Sequence, residues 1–117
     1  MTDERNHRTR RRVAITAVSA VAKAGTGADA FWDGLCTAPE DGMRRIDDFD
    51  PAPYFANPKE ARRADRFAQL ALAAAHHLFE HAGHPDGDLG HDPSRMAVSV
   101  ATGIGGIETL EEQIVIN

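Results

Sequence analysis

A single cysteine, Cys36, leaves no route to a disulfide within the chain, so a reducing cytoplasm is the expected setting. Long apolar runs are missing as well. No stretch approaches the roughly 18 consecutive apolar residues of a membrane span. The basic start (Arg5, Arg8, Arg10, Arg11, Arg12) leads only into a short apolar run mixed with small residues, a poor signal peptide. Positive charge is not in surplus: 13 Lys and Arg against 18 Asp and Glu leave a net charge of -5, which argues against bulk nucleic-acid binding. The arginine tail keeps a local nucleic-acid reading beside that of a disordered start. No internal repeat is visible. What remains is enough for one small domain: 117 residues, 42% of them apolar.

Residues 1–11 read as a basic tail. Residues 12–18, Arg-Val-Ala-Ile-Thr-Ala-Val, are rich in β-branched side chains and predict a strand. Gly25-Thr26-Gly27 breaks that pattern, and Thr26 is placed to cap a short helix carrying Phe31, Trp32 and Leu35. Residues 38–57, rich in Pro and Asp, predict irregular chain. A second helix opens at Asn57, a good N-cap, with Pro58 in its first turn and Glu60 completing a capping pattern. Phe67, Ala71, Ala74, Leu78 and Ala82 form one apolar stripe along it, and Gly83 ends it. A Gly/Asp/Pro loop follows. Residues 96–101 predict a second strand, then the turn Thr102-Gly103-Ile104-Gly105-Gly106, and a third helix over 104–113. Ile114-Val115-Ile116-Asn117 is apolar and unlike a helix end. The expected order is β-α-α-β-α, the beginning of an α/β layered fold. The chain ends eleven residues past Gly106, so the expectation is that what the turn serves lies largely outside it.

The glycine turn invites a phosphate-binding reading. A dinucleotide fingerprint needs glycine at 103, 105 and 108, but position 108 is Glu, which would also repel a pyrophosphate. A P-loop fails because no Gly-Lys-Ser/Thr follows. Lys59, Arg62, Arg63 and Arg66 recur at spacings that place most of them on one helix face near a helix N-terminus. Such a face can receive an acidic partner or a phosphorylated cofactor arm. It can equally be a solvated face interleaved with Glu60 and Asp65, and spacing alone favours the latter. Of the histidines, His77 and His81 have an i, i+4 spacing compatible with two zinc ligands. No thiolate or second paired motif completes a site, and residues opposite the apolar stripe read as surface histidines. No metal or other cofactor is expected. Cys36 sits at a helix end with no base to lower its pKa, and reads as an incidental thiol rather than a nucleophile.

Taken together, residues 12–113 resemble the N-terminal segment of a β-ketoacyl-acyl-carrier-protein synthase, a condensing enzyme of thiolase fold, with 114–117 leaving the family pattern. The strongest stretch is Asn57-Pro58-Lys59-Glu60-Ala61-Arg62-Arg63-Ala64-Asp65-Arg66-Phe67 with the Ala-rich helix to Gly83. Phe31-Trp32, the run Arg45-Ile46-Asp47-Asp48-Phe49-Asp50, and Val98 to Gly106 followed by Glu108 to Gln113 support it in the same order. Departures are Ala17 and Ser19 at two usual glycines, Ala22-Lys23-Ala24 in place of S-P-L, and Ala101 at the first glycine of G-T-G-I-G-G. A short family segment before the second helix is also missing, where Phe49-Asp50-Pro51 runs almost directly into Tyr54 and Asn57.

The resemblance implies decarboxylative Claisen condensation of acyl and malonyl thioesters in fatty-acid or polyketide biosynthesis. That chemistry needs a thiolate nucleophile and donors aimed at an oxyanion. In the family a cysteine in a T-A-C-S-S-like setting and two histidines supply it. None matches a residue here, so no catalytic residue is assigned and the chain alone is expected to be inactive. The resemblance assigns Lys59, Arg62 and Arg63 to docking of the acidic acyl carrier protein. It assigns Ile104, held by Gly103, Gly105 and Gly106, to the border of the acyl pocket. It also implies pairing as a homodimer or with a full-length synthase. The alternatives are a non-catalytic interaction module and a truncated product without function.

Overall fold

The computed structural model describes residues 12–37 and 45–116. The expected basic tail, the irregular reading of 38–44 and the terminal Asn117 lie outside the described residues. The described chain is mixed α/β: a two-stranded antiparallel hairpin, four α-helices and two 3₁₀ turns.

The hairpin pairs β1 (Val21–Ala22) with β2 (Gly25–Thr26), Val21 opposite Thr26 and Ala22 opposite Gly25. Helix α1 (Ala28–Cys36) follows at once. Its N-cap is Gly27, with φ +88°, and not the expected Thr26; no side chain caps it. Gly27 is needed for that left-handed corner, where L side chains are strained. The hairpin lies so close to α1 that a Cβ on Gly25 would strike the Ala30 backbone, and one on Gly34 the Ala24 carbonyl.

The expected second helix is two. Helix α2 (Pro58–Arg63) is capped by Asn57, whose side chain accepts the Lys59 N–H at 2.9 Å, as the sequence implies. The chain then turns extended at Ala64 and restarts as α3 (Arg66–His81), with Asp65 as N-cap. Gln69 holds the break. Its side-chain amide donates to Ala61 O at 2.8 Å and Ala64 O at 3.0 Å, satisfying carbonyls that the end of α2 leaves orphaned. Gly83 ends α3 in a Schellman arrangement: φ is +80°, its N–H reaches Glu80 O, and His84 N–H reaches Phe79 O.

The apolar stripe Phe67–Ala82 is only half-buried. On the neighbouring line of Arg66, Leu70, Ala73 and His77, spaced four, three and four, three residues are likewise half-buried and Ala73 is 0% exposed. The cause is the 3₁₀ turn Ala52–Tyr54, held by Asp50 accepting the Ala52 N–H, which lays aromatic rings on that side. The fully buried apolar residues among those described are Ala61 and Ala73.

The two long strands expected at 12–18 and 96–101 do not form; both segments lack a ladder. A strand requires a neighbour to take its N–H and C=O groups, and among the described residues neither segment pairs with another strand. Val13 and Val98 stand 90% and 91% exposed. Helix α4 (Ile107–Ile116) begins after the glycine turn and not at Ile104, and it runs through the apolar Ile114-Val115-Ile116 that looked unlike a helix end. No described helix is long and apolar enough to cross a membrane.

Candidate functional site: a basic helix face and a glycine turn

The four basic residues grouped by spacing divide into two kinds. Lys59, Arg62 and Arg63 are exposed on α2, with no ion-pair partner among the described residues. Arg66 belongs to the fold. Its guanidinium donates to Ile46 O at 2.7 Å and lies 4.8 Å from the centroid of the Phe49 ring, fastening the 45–50 segment to the start of α3. Helix α2 has only six residues, so the full charges of this face come from the Lys59, Arg62 and Arg63 side chains, with a short helix's N-terminal N–H groups beside them.

Phe49 stacks on Tyr54 at 5.8 Å, and Tyr54 meets both His76 and His77 edge-on. His77 is not a surface histidine. Its Nδ1–H donates to Glu80 Oε2 at 2.7 Å, which leaves Nε2 to accept the Tyr54 hydroxyl at 3.1 Å. His76 Nε2 approaches the other Glu80 oxygen at 3.4 Å. His81 turns away, its Nδ1 accepting the Val18 N–H. The i, i+4 pair therefore does not converge on an ion, and no group of three or more His, Cys, Asp or Glu among the described residues could hold a metal.

In the glycine turn, Thr102 Oγ1 accepts the Gly105 N–H at 3.1 Å, and Gly105 sits at φ +69°. Ile104 projects outward, 73% exposed. Gly103 has open space where a side chain would stand. Gly106 faces the N-cap of α3, where an added Cβ would lie 2.5 Å from Asp65 Oδ2. One residue-turn further on, Thr109 Oγ1 donates to Asp65 Oδ1. Sequence reasoning missed this junction because it read one continuous helix through Asp65, although an Asp before Arg66-Phe67 is itself an N-cap signal. An open groove of ≈ 760 Å³ beside it is lined by Arg45, Ile46, Asp47, Arg66, Leu70 and Glu108. None of the four residues 103–106 lines that groove. Cys36 is exposed at the end of α1, with no hydrogen-bonding base among the described residues.

The profile "Beta-ketoacyl synthase, N-terminal domain" matches residues 38–116. The chain is similar to a Streptomyces cyaneus protein named as a polyketide beta-ketoacyl synthase 1, 37% identical over 120 residues, which cover 91% of this chain and 28% of that protein. It is similar to the tetracenomycin polyketide synthase ketoacyl synthase alpha subunit of Streptomyces glaucescens, 31% identical over 118 residues, 88% of this chain and 27% of that one. It is also similar to 3-oxoacyl-[acyl-carrier-protein] synthase 2 of Synechocystis, 30% identical over 119 residues, 89% of this chain and 28% of that one. The chain thus spans little more than a quarter of the length of these relatives. No solved structure matches it significantly.

Proposed function

Because this chain belongs to the β-ketoacyl synthase family, by its N-terminal domain, we propose that it carries the carrier-docking face and one wall of the acyl pocket of a condensing enzyme. The reaction served is decarboxylative Claisen condensation of acyl and malonyl thioesters, in fatty-acid or polyketide synthesis. Residues 12–113 are its N-terminal portion. Their β-branched segments 12–18 and 96–101 become strands of a layered αβαβα fold once neighbouring strands are supplied. Acyl carrier protein is the partner, and a second copy or a full-length synthase covers the apolar surface.

The observation that carries this reading is the sorting of the basic residues. Arg66 is consumed by the fold, while Lys59, Arg62 and Arg63 stay exposed on a capped helix without partners among the described residues. Exposed cations left unpaired beside one another suit an acidic protein surface, which they steer and orient. Catalysis does not follow from the face alone. Claisen condensation needs an activated thiolate, and Cys36 has no hydrogen-bonded base among the described residues. Incubated with acyl- and malonyl-acyl carrier protein, the purified chain is expected to bind carrier and form no 3-oxoacyl product. Condensation by this chain alone, or binding indifferent to Lys59→Glu/Arg62→Glu/Arg63→Glu, contradicts the reading.

The second reading, a non-catalytic interaction module, draws on the same retained face. It separates from the first by outcome: a module binds carrier but gains no activity when the remainder of a synthase is added in trans.

A further inference from the structure

Two junctions at the start of α3 connect the basic helix to the glycine turn. Gln69 grips α2 through Ala61 O and Ala64 O, so α2 cannot reorient without breaking both bonds. Asp65, the N-cap of α3, makes no side-chain cap to its own helix. Its carboxylate is given instead to Thr109, 44 residues further along the chain, and packs against the Cα of Gly106. An N-cap Asp that leaves its own helix uncapped forgoes a contribution of about 1 kcal/mol, so its commitment to α4 is a feature needing a reason. A Cβ at 106 would stand 2.5 Å from Asp65 Oδ2, so any other residue there must displace the carboxylate. The negative carboxylate also sits at the N-terminal end of α4, where exposed helix N–H groups favour it.

We propose that Asp65 is a positioning residue that latches the glycine turn to the docking helix, so that an acidic carrier protein bound on α2 fixes the placement of Ile104. The inference rests on the functional reading above and adds to it a physical connection: α2 to Gln69, α3 to Asp65, Asp65 to Thr109 and Gly106, and through them to Ile104. Both junctions are hydrogen-bonded and short, so a displacement of α2 reaches the turn through contiguous contacts.

The test is amide hydrogen exchange on the full chain, alone and with apo acyl carrier protein. Thr109→Val removes the hydroxyl and leaves α3 intact. Gly106→Ala presses a methyl onto the carboxylate. Without carrier, both are expected to raise exchange across 105–110 about tenfold, the effect of losing one hydrogen bond. Thr109→Ser keeps the hydroxyl donor and is expected to stay near the parent. With carrier, the parent gains protection in α2 and in 103–106 together, whereas Thr109→Val gains it in α2 alone. Unchanged carrier-free exchange in Thr109→Val overturns the latch, and protection of 103–106 in Thr109→Val overturns the coupling. Absence of carrier protection in α2 of every variant overturns the functional reading and the coupling with it, while the carrier-free arm still decides the latch.

Discussion

The chain is expected to self-associate through its exposed valines, and replacing Val98 and Val100 by glutamate should leave it dispersed. The two valines lie in the segment 96–101, which reads as a strand but pairs with none among the described residues, and they are 91% and 63% exposed. Covering a fully exposed valine is worth about 1.5 kcal/mol at the low end of the range, so covering this pair contributes roughly 2 kcal/mol per chain and roughly 4–5 in a symmetric pair. At 1.4 kcal/mol per decade, removing that contribution weakens the pair by about three orders of magnitude, before like-charge repulsion is added. Other exposed apolar side chains, such as Val13, Ile15 and Ile104, remain to drive weaker contacts. Sedimentation velocity from about 1 to 100 μM reads the result, since that range brackets affinities near -7 kcal/mol. The parent should sediment as dimers and larger species, and Val98→Glu/Val100→Glu mostly as monomer. A parent that remains monomeric throughout, with one sharp cooperative unfolding transition, refutes the reasoning.

Two further outcomes follow from particular contacts. Arg66→Ala should loosen the 45–50 segment by about 2 kcal/mol, the sum expected of a charge-assisted hydrogen bond to Ile46 O and a partly exposed cation–π contact, and Arg66→Lys should recover only part because the planar fork is lost; exchange at the amides of 47–50 checks this, and equal protection in all three proteins contradicts it. The Asp92 carboxyl is held below its ordinary 3.8, first by the Ser94 N–H and then by the Ser94 hydroxyl, against a slight opposing effect of burial. Folding therefore favours its charged form, so its support of the 3₁₀ turn Pro93–Arg95 is present above the unfolded value and is lost as pH falls through the lower folded one; a carboxyl NMR titration should show this, with Ser94→Ala moving the midpoint upward, and a parent midpoint at or above 3.8 contradicts it.

Local signals in the sequence translated well where the chain could satisfy itself. Asn57 caps α2, Gly83 closes α3, and the glycine turn precedes α4, because each is decided by residues within one or two turns. The family was legible too, in the run from Asn57 to Phe67 and the turn before Glu108. What did not translate depends on distant partners. Residues 12–18 and 96–101 carry strand chemistry but find no ladder. The apolar stripe of α3 is legible in its spacing, yet it is only half-buried, and Phe49 and Tyr54 come to rest against Arg66 and His77 beside it. Nothing in helical periodicity announces which face a remote 3₁₀ turn will cover. The break at Ala64-Asp65 went unread because helix-forming residues continue through it; the extended Ala64 backbone and the Gln69 side chain make it.

The central claim is that the α2 face receives an acidic carrier. Its most direct test is a calorimetric titration of apo acyl carrier protein into the chain at two ionic strengths. Exposed charges attract over about 10 Å at 0.1 M salt and far less at 1 M, so the parent should bind at low salt and weaken sharply at high salt. Lys59→Glu/Arg62→Glu/Arg63→Glu should lose about a hundredfold at low salt, three reversed pairs at a few tenths of a kcal/mol or more per charge removed and again per charge reversed. Lys23→Glu, an exposed lysine outside α2, serves as the charge control and should bind as the parent does. Binding that survives the triple reversal, or that Lys23→Glu weakens equally, contradicts the account.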